Sequence, residues 1–134
     1  MDTSNEYINM CEKASEIQKT WKPEEWDLVS TACAESTEKD LWVRMIYDLD
    51  DFNNEGESYI KDFPCKTWLP RQDQLQEMVG DSFILLSGVF VSFYTFFIDH
   101  IKDNSQSFEQ IWLEFVMKEK FNKVWDGNEW ILKG

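Results

Sequence analysis

The sequence predicts an α+β fold in which an N-terminal helix is followed by a small antiparallel sheet and then by a helical C-terminal half. Apolar residues recur at helical spacing over residues 7–21, alternate with period two over residues 41–49, and return to helical spacing beyond residue 70. A chain of 134 residues is expected to form a single domain over residues 1–134. Residues 1–67 are its acidic helix-plus-strand part, and residues 68–134 are its helical part.

The first helix is expected to begin at the amino terminus, because Thr3 and Glu6 have the spacing of a capping box. Apolar residues then follow at intervals of three and four until Pro23 ends the pattern. They are Tyr7, Met10, Cys11, Ala14, Ile17 and Trp21. The spacing therefore predicts one amphipathic helix with its apolar side turned toward a core.

Short strands are predicted at residues 26–31, 41–49, 59–61 and 67–69, where apolar and β-branched residues lie between polar segments. In 41–49 one face is apolar and the other is mixed, so the second face is expected to be partly exposed. Residues 50–58 are polar and predict a loop. Together the strands predict a small antiparallel sheet.

The helical half is expected to begin with a short helix. Pro70 is predicted at its first position, the helix continues over residues 71–79, and Gly80 ends it. Ser107 and Gln110 have capping-box spacing and predict the start of another helix. Its apolar stripe continues through Phe121, Val124 and Trp125. Beyond it, Asp126 and Gly127 predict a turn that lets Trp130 pack back on the chain.

Between these two helices, residues 82–98 carry no charge and predict a central helix. Its polar residues follow one narrow stripe made of Asp81, Gly88, Ser92, Thr95, Asp99 and Lys102. A thin polar line on an apolar helix is typical of a buried core helix. The alternative is a surface for lipid or for a partner, although 17 residues is at the lower limit for a membrane span.

Composition restricts the function classes. Aromatic residues make up 16 % of the chain, with seven tryptophans, which indicates a folded protein. A formal net charge of −13 repels nucleic acid and anionic lipid and attracts basic partners, so neither direct nucleic-acid binding nor membrane binding is expected. The first 13 residues are polar and acidic, which together with three cysteines predicts a cytoplasmic protein with reduced thiols.

No catalytic motif is apparent in the chain. The single histidine, His100, leaves no clear triad, there is no glycine-rich phosphate loop, and the cysteines have no C-x-x-C spacing. A non-enzymatic protein without cofactor or metal is therefore expected. One calcium pattern remains: Asp51, Asn53, Glu55, Gly56 and Asp62 occupy ligand positions of an EF-hand-like loop. Because no helix precedes Asp51, an acidic hairpin loop is the preferred interpretation.

The stretch from Trp68 to Met78 reads W-L-P-R-Q-D-Q-L-Q-E-M. It resembles a block in small phage and prophage proteins of Gram-positive bacteria, where it follows a strand region and precedes a helical half. The resemblance implies a phage origin and a location in the bacterial cytoplasm. Its side chains favour a helix start, while Trp68, Arg71, Gln72 and Gln74 offer a weaker hypothesis of an anion or nucleotide site through stacking, guanidinium and amide contacts.

The expected function is binding and inhibition of a basic host protein that handles nucleic acid in defence, such as a CRISPR nuclease. Residues 24–57 hold eleven acids against Lys39 and Arg44 and would mimic nucleic acid in a cationic groove. The predicted contact residues are the acidic side chains Glu24, Glu25, Asp27, Glu35, Glu38, Asp48, Asp50, Asp51, Glu55 and Glu57.

Several alternatives stay open. The acidity could serve solubility alone. A different class is a sponge that sequesters a nucleotide-like immune signal through tryptophan faces and Arg71. A third is a phage assembly or replication accessory protein. A homodimer is a further expectation, because the strand at 41–49 and the apolar helix both offer surfaces for self-contact.

Overall fold

The computed structural model describes residues 2–30, 43–46, 67–80, 83–100 and 106–133. Within these ranges the chain is α+β, with an N-terminal helical region, small antiparallel sheets and a helical C-terminal half, as the sequence predicts. It divides into an N-terminal unit, Thr3–Pro70, and a C-terminal unit, Arg71–Gly134 together with Met1–Asp2. This division lies three residues beyond the boundary predicted between the acidic part and the helical part.

The N-terminal unit begins with two helices, α1 (Asn5–Lys13) and α2 (Ser15–Thr20), where the sequence predicts one. Ser4, not Thr3, caps α1 by accepting a hydrogen bond from the backbone N–H of Tyr7 at 3.2 Å. The helix breaks at Ala14, whose ψ of 65° is not helical and whose N–H bonds to the Cys11 carbonyl. Because Ala14 is fully buried, the break turns the chain without exposing an apolar residue.

Three short strands form the sheet of this unit: β1 (Leu28–Ser30), β2 (Val43–Met45) and β3 (Thr67–Leu69). The order is β2-β1-β3 and both pairings are antiparallel, with Leu28 opposite Met45 on one side and Leu69 on the other. The predicted strands around residues 28, 43 and 67 are therefore confirmed, while the one at 59–61 lies outside the described residues. All three residues of β1 and of β3 are buried.

Helix α1 packs on β3 and supplies much of the core of this unit. Its largest fully buried side chains are Tyr7, Ile8, Met10, Ile17, Val29 and Leu69. The Tyr7 hydroxyl donates a 2.5 Å hydrogen bond to the Pro70 carbonyl, so its polar atom is satisfied inside the apolar layer. The three-to-four spacing of apolar residues thus places one face of the helices inward, against a sheet in which every residue of β1 and β3 is buried.

The C-terminal unit contains α3 (Gln72–Val79), α4 (Phe83–His100) and α5 (Phe108–Phe121). Arg71 is the N-cap of α3, so Pro70 precedes the cap and the prediction that it is the first helical residue is wrong. The Gln74 Oε1 accepts a hydrogen bond from the Arg71 N–H at 2.9 Å. Gly80 follows the last residue of α3, as predicted.

Helix α4 is buried on one side only, where its side chains are described. Phe93 and Phe96 are buried, whereas Val91, Tyr94 and Ile98 are 69 %, 64 % and 47 % exposed. The predicted central helix exists, but its expected burial on all faces is wrong for these positions, because α5 covers only one side within the unit. The described members of the predicted polar stripe, Gly88, Ser92, Thr95 and Asp99, are all exposed, but the stripe did not indicate that its apolar neighbours would be exposed with it.

Aromatic rings join α4 to α5. The Phe93 and Trp112 rings stack with centroids 3.8 Å apart and planes 7° apart, and Phe115 meets both edge-on.

Within the described parts of the chain, no helix has the length and apolar character required to cross a bilayer.

Helix α5 ends at Phe121, earlier than its apolar stripe predicts. Asn122 adopts a left-handed conformation with φ 55° and ψ 39°, and its N–H caps the helix on the Lys118 carbonyl. The chain then forms a hairpin of β4 (Lys123–Trp125) and β5 (Trp130–Leu132). Its turn is the predicted one: Asp126 Oδ1 accepts from the N–H groups of Asn128 and Glu129, and Trp130 is buried.

Candidate partner-binding surface

The described part of the predicted acidic surface is the segment of residues 22–27, here called the acidic turn, between α2 and β1. Its centre is Asp27, whose Oδ2 accepts hydrogen bonds from the Trp21 indole Nε1 at 2.9 Å and from the Glu24 N–H at 3.0 Å. The Asp27 N–H in turn donates to the Glu24 carbonyl at 3.2 Å. One buried carboxylate therefore fixes the shape of the turn.

Asp27 is only 1 % exposed, so its assignment to the partner-binding surface is wrong. Its carboxylate is already used inside the turn, and a buried charge that accepts hydrogen bonds from its own loop is structural. Sequence alone gave no way to separate it from its neighbours, because acidic side chains are mostly exposed.

The other two acidic residues of the acidic turn are exposed, in contrast to the buried Asp27. Glu24 and Glu25 are both exposed, and Lys22 is the exposed base of the same turn. The Glu24 carboxylate is free to face outward because the turn is held through the Glu24 backbone. These two side chains are thus the predicted contact residues that the structure presents at the surface.

Trp26 is the residue of this turn that the sequence analysis missed. It was assigned to a strand, yet its φ is 73° and its side chain is 56 % exposed. The backbone on both sides of it is tied to the end of β2, since the Trp26 N–H donates to the Ile46 carbonyl at 2.6 Å and the Ile46 N–H donates to the Asp27 carbonyl at 2.9 Å. Pro23 ahead of two glutamates and Asp27 is a turn composition that could have indicated it.

The other seven predicted acidic contacts lie outside the described residues. They are Glu35, Glu38, Asp48, Asp50, Asp51, Glu55 and Glu57. The calcium pattern from Asp51 to Asp62 also lies there. Among the side chains that the structure does describe, no group of three metal-ligating residues comes together.

The alternative ligand residues fall on both sides of the division between the units. Trp68 belongs to the N-terminal unit, is 5 % exposed and stacks on Trp21 with ring centroids 6.1 Å apart. It is a core residue, so its prediction as a platform for stacking a base is wrong. In the C-terminal unit, Arg71 bonds through Nε to Asp73 at 3.2 Å, and Gln74 caps α3.

Gln72 is the first residue of α3 and is partly exposed. The Arg71 guanidinium is about one-third exposed and lies against a carboxylate, which opposes the binding of an anion at the same place. The helix start predicted from this block is therefore present, and its polar side chains carry out capping.

The acidic turn is consequently the best-supported candidate surface of the described chain: three consecutive exposed residues, two glutamates and a tryptophan, on a turn held by hydrogen bonds. The chain matches no protein-family model, no curated protein and no solved structure.

Proposed function

We propose that this chain is a non-enzymatic binding protein that occupies the basic, nucleic-acid-binding groove of a partner protein. The observation that carries the proposal is the outward placement of Glu24 and Glu25 on a turn fixed by the buried Asp27 carboxylate. Two carboxylates on a fixed turn can pair with the cationic side chains that bind phosphate in such a groove, and little conformational entropy is lost on binding. The formal net charge of −13 acts in the same direction over a longer range.

Charge accounts for both the rate and the selectivity of such an interaction. A strongly acidic protein is steered toward a cationic groove, and association then slows as salt screens the field. Once the protein is docked, its carboxylates occupy the positions of phosphates and so exclude DNA or RNA from the groove. The same charge repels nucleic acid from the chain itself, so inhibition would proceed through the partner.

The partner class follows from the resemblance of residues 68–78 to phage proteins together with the acidity of residues 24–57. A phage protein that enters the bacterial cytoplasm benefits from blocking a host defence protein that handles nucleic acid. A CRISPR nuclease loaded with its guide RNA is the most concrete form of that partner, because its channel for nucleic acid is positively charged.

The test is target-DNA binding by a guide-loaded CRISPR nuclease of a Gram-positive host, measured by mobility shift with and without the intact chain. We expect the chain to abolish the DNA shift at low salt and to lose this effect as salt rises. The double variant Glu24→Lys/Glu25→Lys should restore DNA binding.

The matched control is Glu119→Lys/Glu129→Lys, which changes the net charge by the same amount at two exposed residues of the C-terminal unit. It should inhibit like the unmodified chain. Equal loss of inhibition in both double variants would assign the effect to net charge alone. Full inhibition by Glu24→Lys/Glu25→Lys, or none by the unmodified chain, would contradict the proposal.

A further inference from the structure

The backbone of Trp26 is held in a conformation that its side chain disfavours. A φ of 73° places it in the left-handed region, which for a bulky residue is an outlier and is found where surrounding contacts enforce it. Here the contacts are the paired hydrogen bonds to Ile46 and the Asp27 carboxylate one residue further on. Glycine or asparagine would adopt this conformation with less strain.

The indole contributes less apolar burial to the fold than the other described tryptophans. Trp68, Trp112 and Trp130 are buried, and Trp21 and Trp125 are half-buried, whereas more than half of Trp26 is exposed. Trp26 thus presents a large aromatic surface on a turn whose backbone is held by hydrogen bonds. Tryptophan is one of the residues most enriched among those that carry the binding energy of protein interfaces.

The charges beside Trp26 define what such an anchor would contact. Glu24 and Glu25 precede it directly in sequence and are exposed, and Lys22 is the one base of the turn. An indole face attracts cations, and two carboxylates pair with them. Arginine fits this combination better than lysine, because a planar guanidinium stacks on the ring and donates in-plane hydrogen bonds, whereas an ammonium is compact and strongly hydrated.

We infer that Trp26 is an arginine-selective anchor, stacking on a guanidinium of the partner while Glu24 or Glu25 accepts hydrogen bonds from the same group. The inference rests on the proposed function, which requires only that the acidic turn meet a basic surface. It adds that the recognised base is arginine and that the selectivity resides in the indole.

The probes are hexa-arginine and hexa-lysine peptides, which have equal charge, titrated calorimetrically into the intact chain at low salt. We expect hexa-arginine to bind about tenfold more tightly than hexa-lysine, in keeping with a desolvated contact between a cation and an aromatic ring. Trp26→Gly should remove this preference and leave the affinity for hexa-lysine nearly unchanged. Tyr94→Ala, which removes another exposed aromatic ring, should keep the preference.

Folding of the variants is checked by thermal unfolding, where Trp26→Gly should still unfold cooperatively, since glycine accepts the positive φ and this relief opposes the loss of the partly buried ring. Trp26→Asn is the second variant, because asparagine also tolerates this region and carries no ring. Equal affinity of the unmodified chain for both peptides, or an arginine preference that persists in both variants, would overturn the inference and leave the proposed function standing. Binding of neither peptide, or binding insensitive to Glu24→Lys/Glu25→Lys, would overturn the proposed function as well.

Discussion

The carboxylate of Asp27 accepts a hydrogen bond from the indole Nε1 of Trp21 at 2.9 Å, across the five residues of the turn between them. The same oxygen accepts the Glu24 N–H, so a single buried atom connects the end of the helical region, the turn and the start of β1. The Trp21 ring stacks on Trp68 of β3, which continues this connection to the sheet. The shape of the exposed turn therefore depends on a buried charge.

Removing this acceptor is expected to destabilise the N-terminal unit. Asp27→Ala leaves the Trp21 indole N–H and the Glu24 N–H without their partner, and hydrogen bonds to a charged group contribute about 1.5–3 kcal/mol each. Because both bonds are partly buried, we expect a total loss of about 2–3 kcal/mol in the free energy of unfolding. Urea denaturation followed by tryptophan fluorescence measures it.

Asp27→Asn separates the two contributions of this side chain. It keeps one acceptor oxygen but removes the charge, so about half of that loss is expected. Glu24→Gln serves as the control, since the turn is bonded to the Glu24 backbone and its exposed carboxylate should contribute less than about 0.5 kcal/mol. Equal stability of Asp27→Ala and the unmodified chain would show that the turn does not depend on this carboxylate.

The half-buried Gln18 side chain is a second polar link, between α2 and β3. Its Nε2 donates to the Trp68 carbonyl at 2.9 Å and its Oε1 accepts from the Trp68 N–H at 2.9 Å, while Nε2 also reaches the Cys11 carbonyl at 3.1 Å. An amide that satisfies both backbone groups of one strand residue replaces a neighbouring strand at that position.

Gln18→Ala is expected to lower the free energy of unfolding by about 2–3 kcal/mol, because the backbone groups of Trp68 then lack their partner in a buried region. The neighbouring substitution Lys19→Ala, at an exposed position of the same helix, should change stability by less than about 0.5 kcal/mol. The comparison is made by urea denaturation of the intact chain. Similar changes in the two variants would show that the Gln18 amide contacts contribute no more to stability than an exposed side chain of the same helix.

Periodicity predicted most of the helices and strands described here, but it missed the break between α1 and α2 and the hairpin of β4 and β5. The alternation around Val43 and the caps at Ser107 and Gly80 are local signals, and each occurs at the predicted place. At the break, the Cys11 carbonyl accepts hydrogen bonds from the Ala14 N–H and from the Gln18 amide, and no periodicity in the sequence indicates these contacts.

The candidate surface, like the fold, was predicted only in part from the sequence. The excess of acids identified Glu24 and Glu25, because charge is visible in composition. It could not distinguish Asp27, whose burial results from hydrogen bonds within the turn. It also gave no sign that Trp26 would be exposed, since a tryptophan before an apolar run ordinarily indicates a strand.

The one-sided burial of α4 leads to a contrast between two adjacent aromatic residues. Phe93 stacks on Trp112 and is buried, so Phe93→Ala should cost about 3–5 kcal/mol through lost burial and the resulting cavity. Tyr94→Ala removes a largely exposed ring and should cost less than about 1 kcal/mol. Urea denaturation distinguishes them, and comparable losses at both positions would indicate that the exposed side of α4 is covered in solution.

Asn122 provides a test in which the sign of the effect decides between two structures. In the observed fold it ends α5 with φ 55°, and its Nδ2 donates to the Lys133 carbonyl at 2.9 Å. Asn122→Ala should therefore destabilise the chain by about 1–2 kcal/mol, because alanine lacks the polar side chain that makes the left-handed conformation accessible to asparagine and also loses the bond to Lys133. Asn122→Gly, which relieves that conformation but loses the side-chain bond, should be within about 0.5 kcal/mol of the unmodified chain.

The apolar stripe through Val124 and Trp125 instead favours a helix that continues past residue 122. In that structure alanine, the best helix former, would stabilise the chain relative to asparagine, and glycine would be the most destabilising of the three residues. Thermal unfolding of the two variants therefore distinguishes the two structures. The glycine variant is the more stable if the helix ends at Phe121, and the alanine variant is the more stable if the helix continues. We expect glycine above alanine, because the hairpin of β4 and β5 requires the chain to leave the helix at this position.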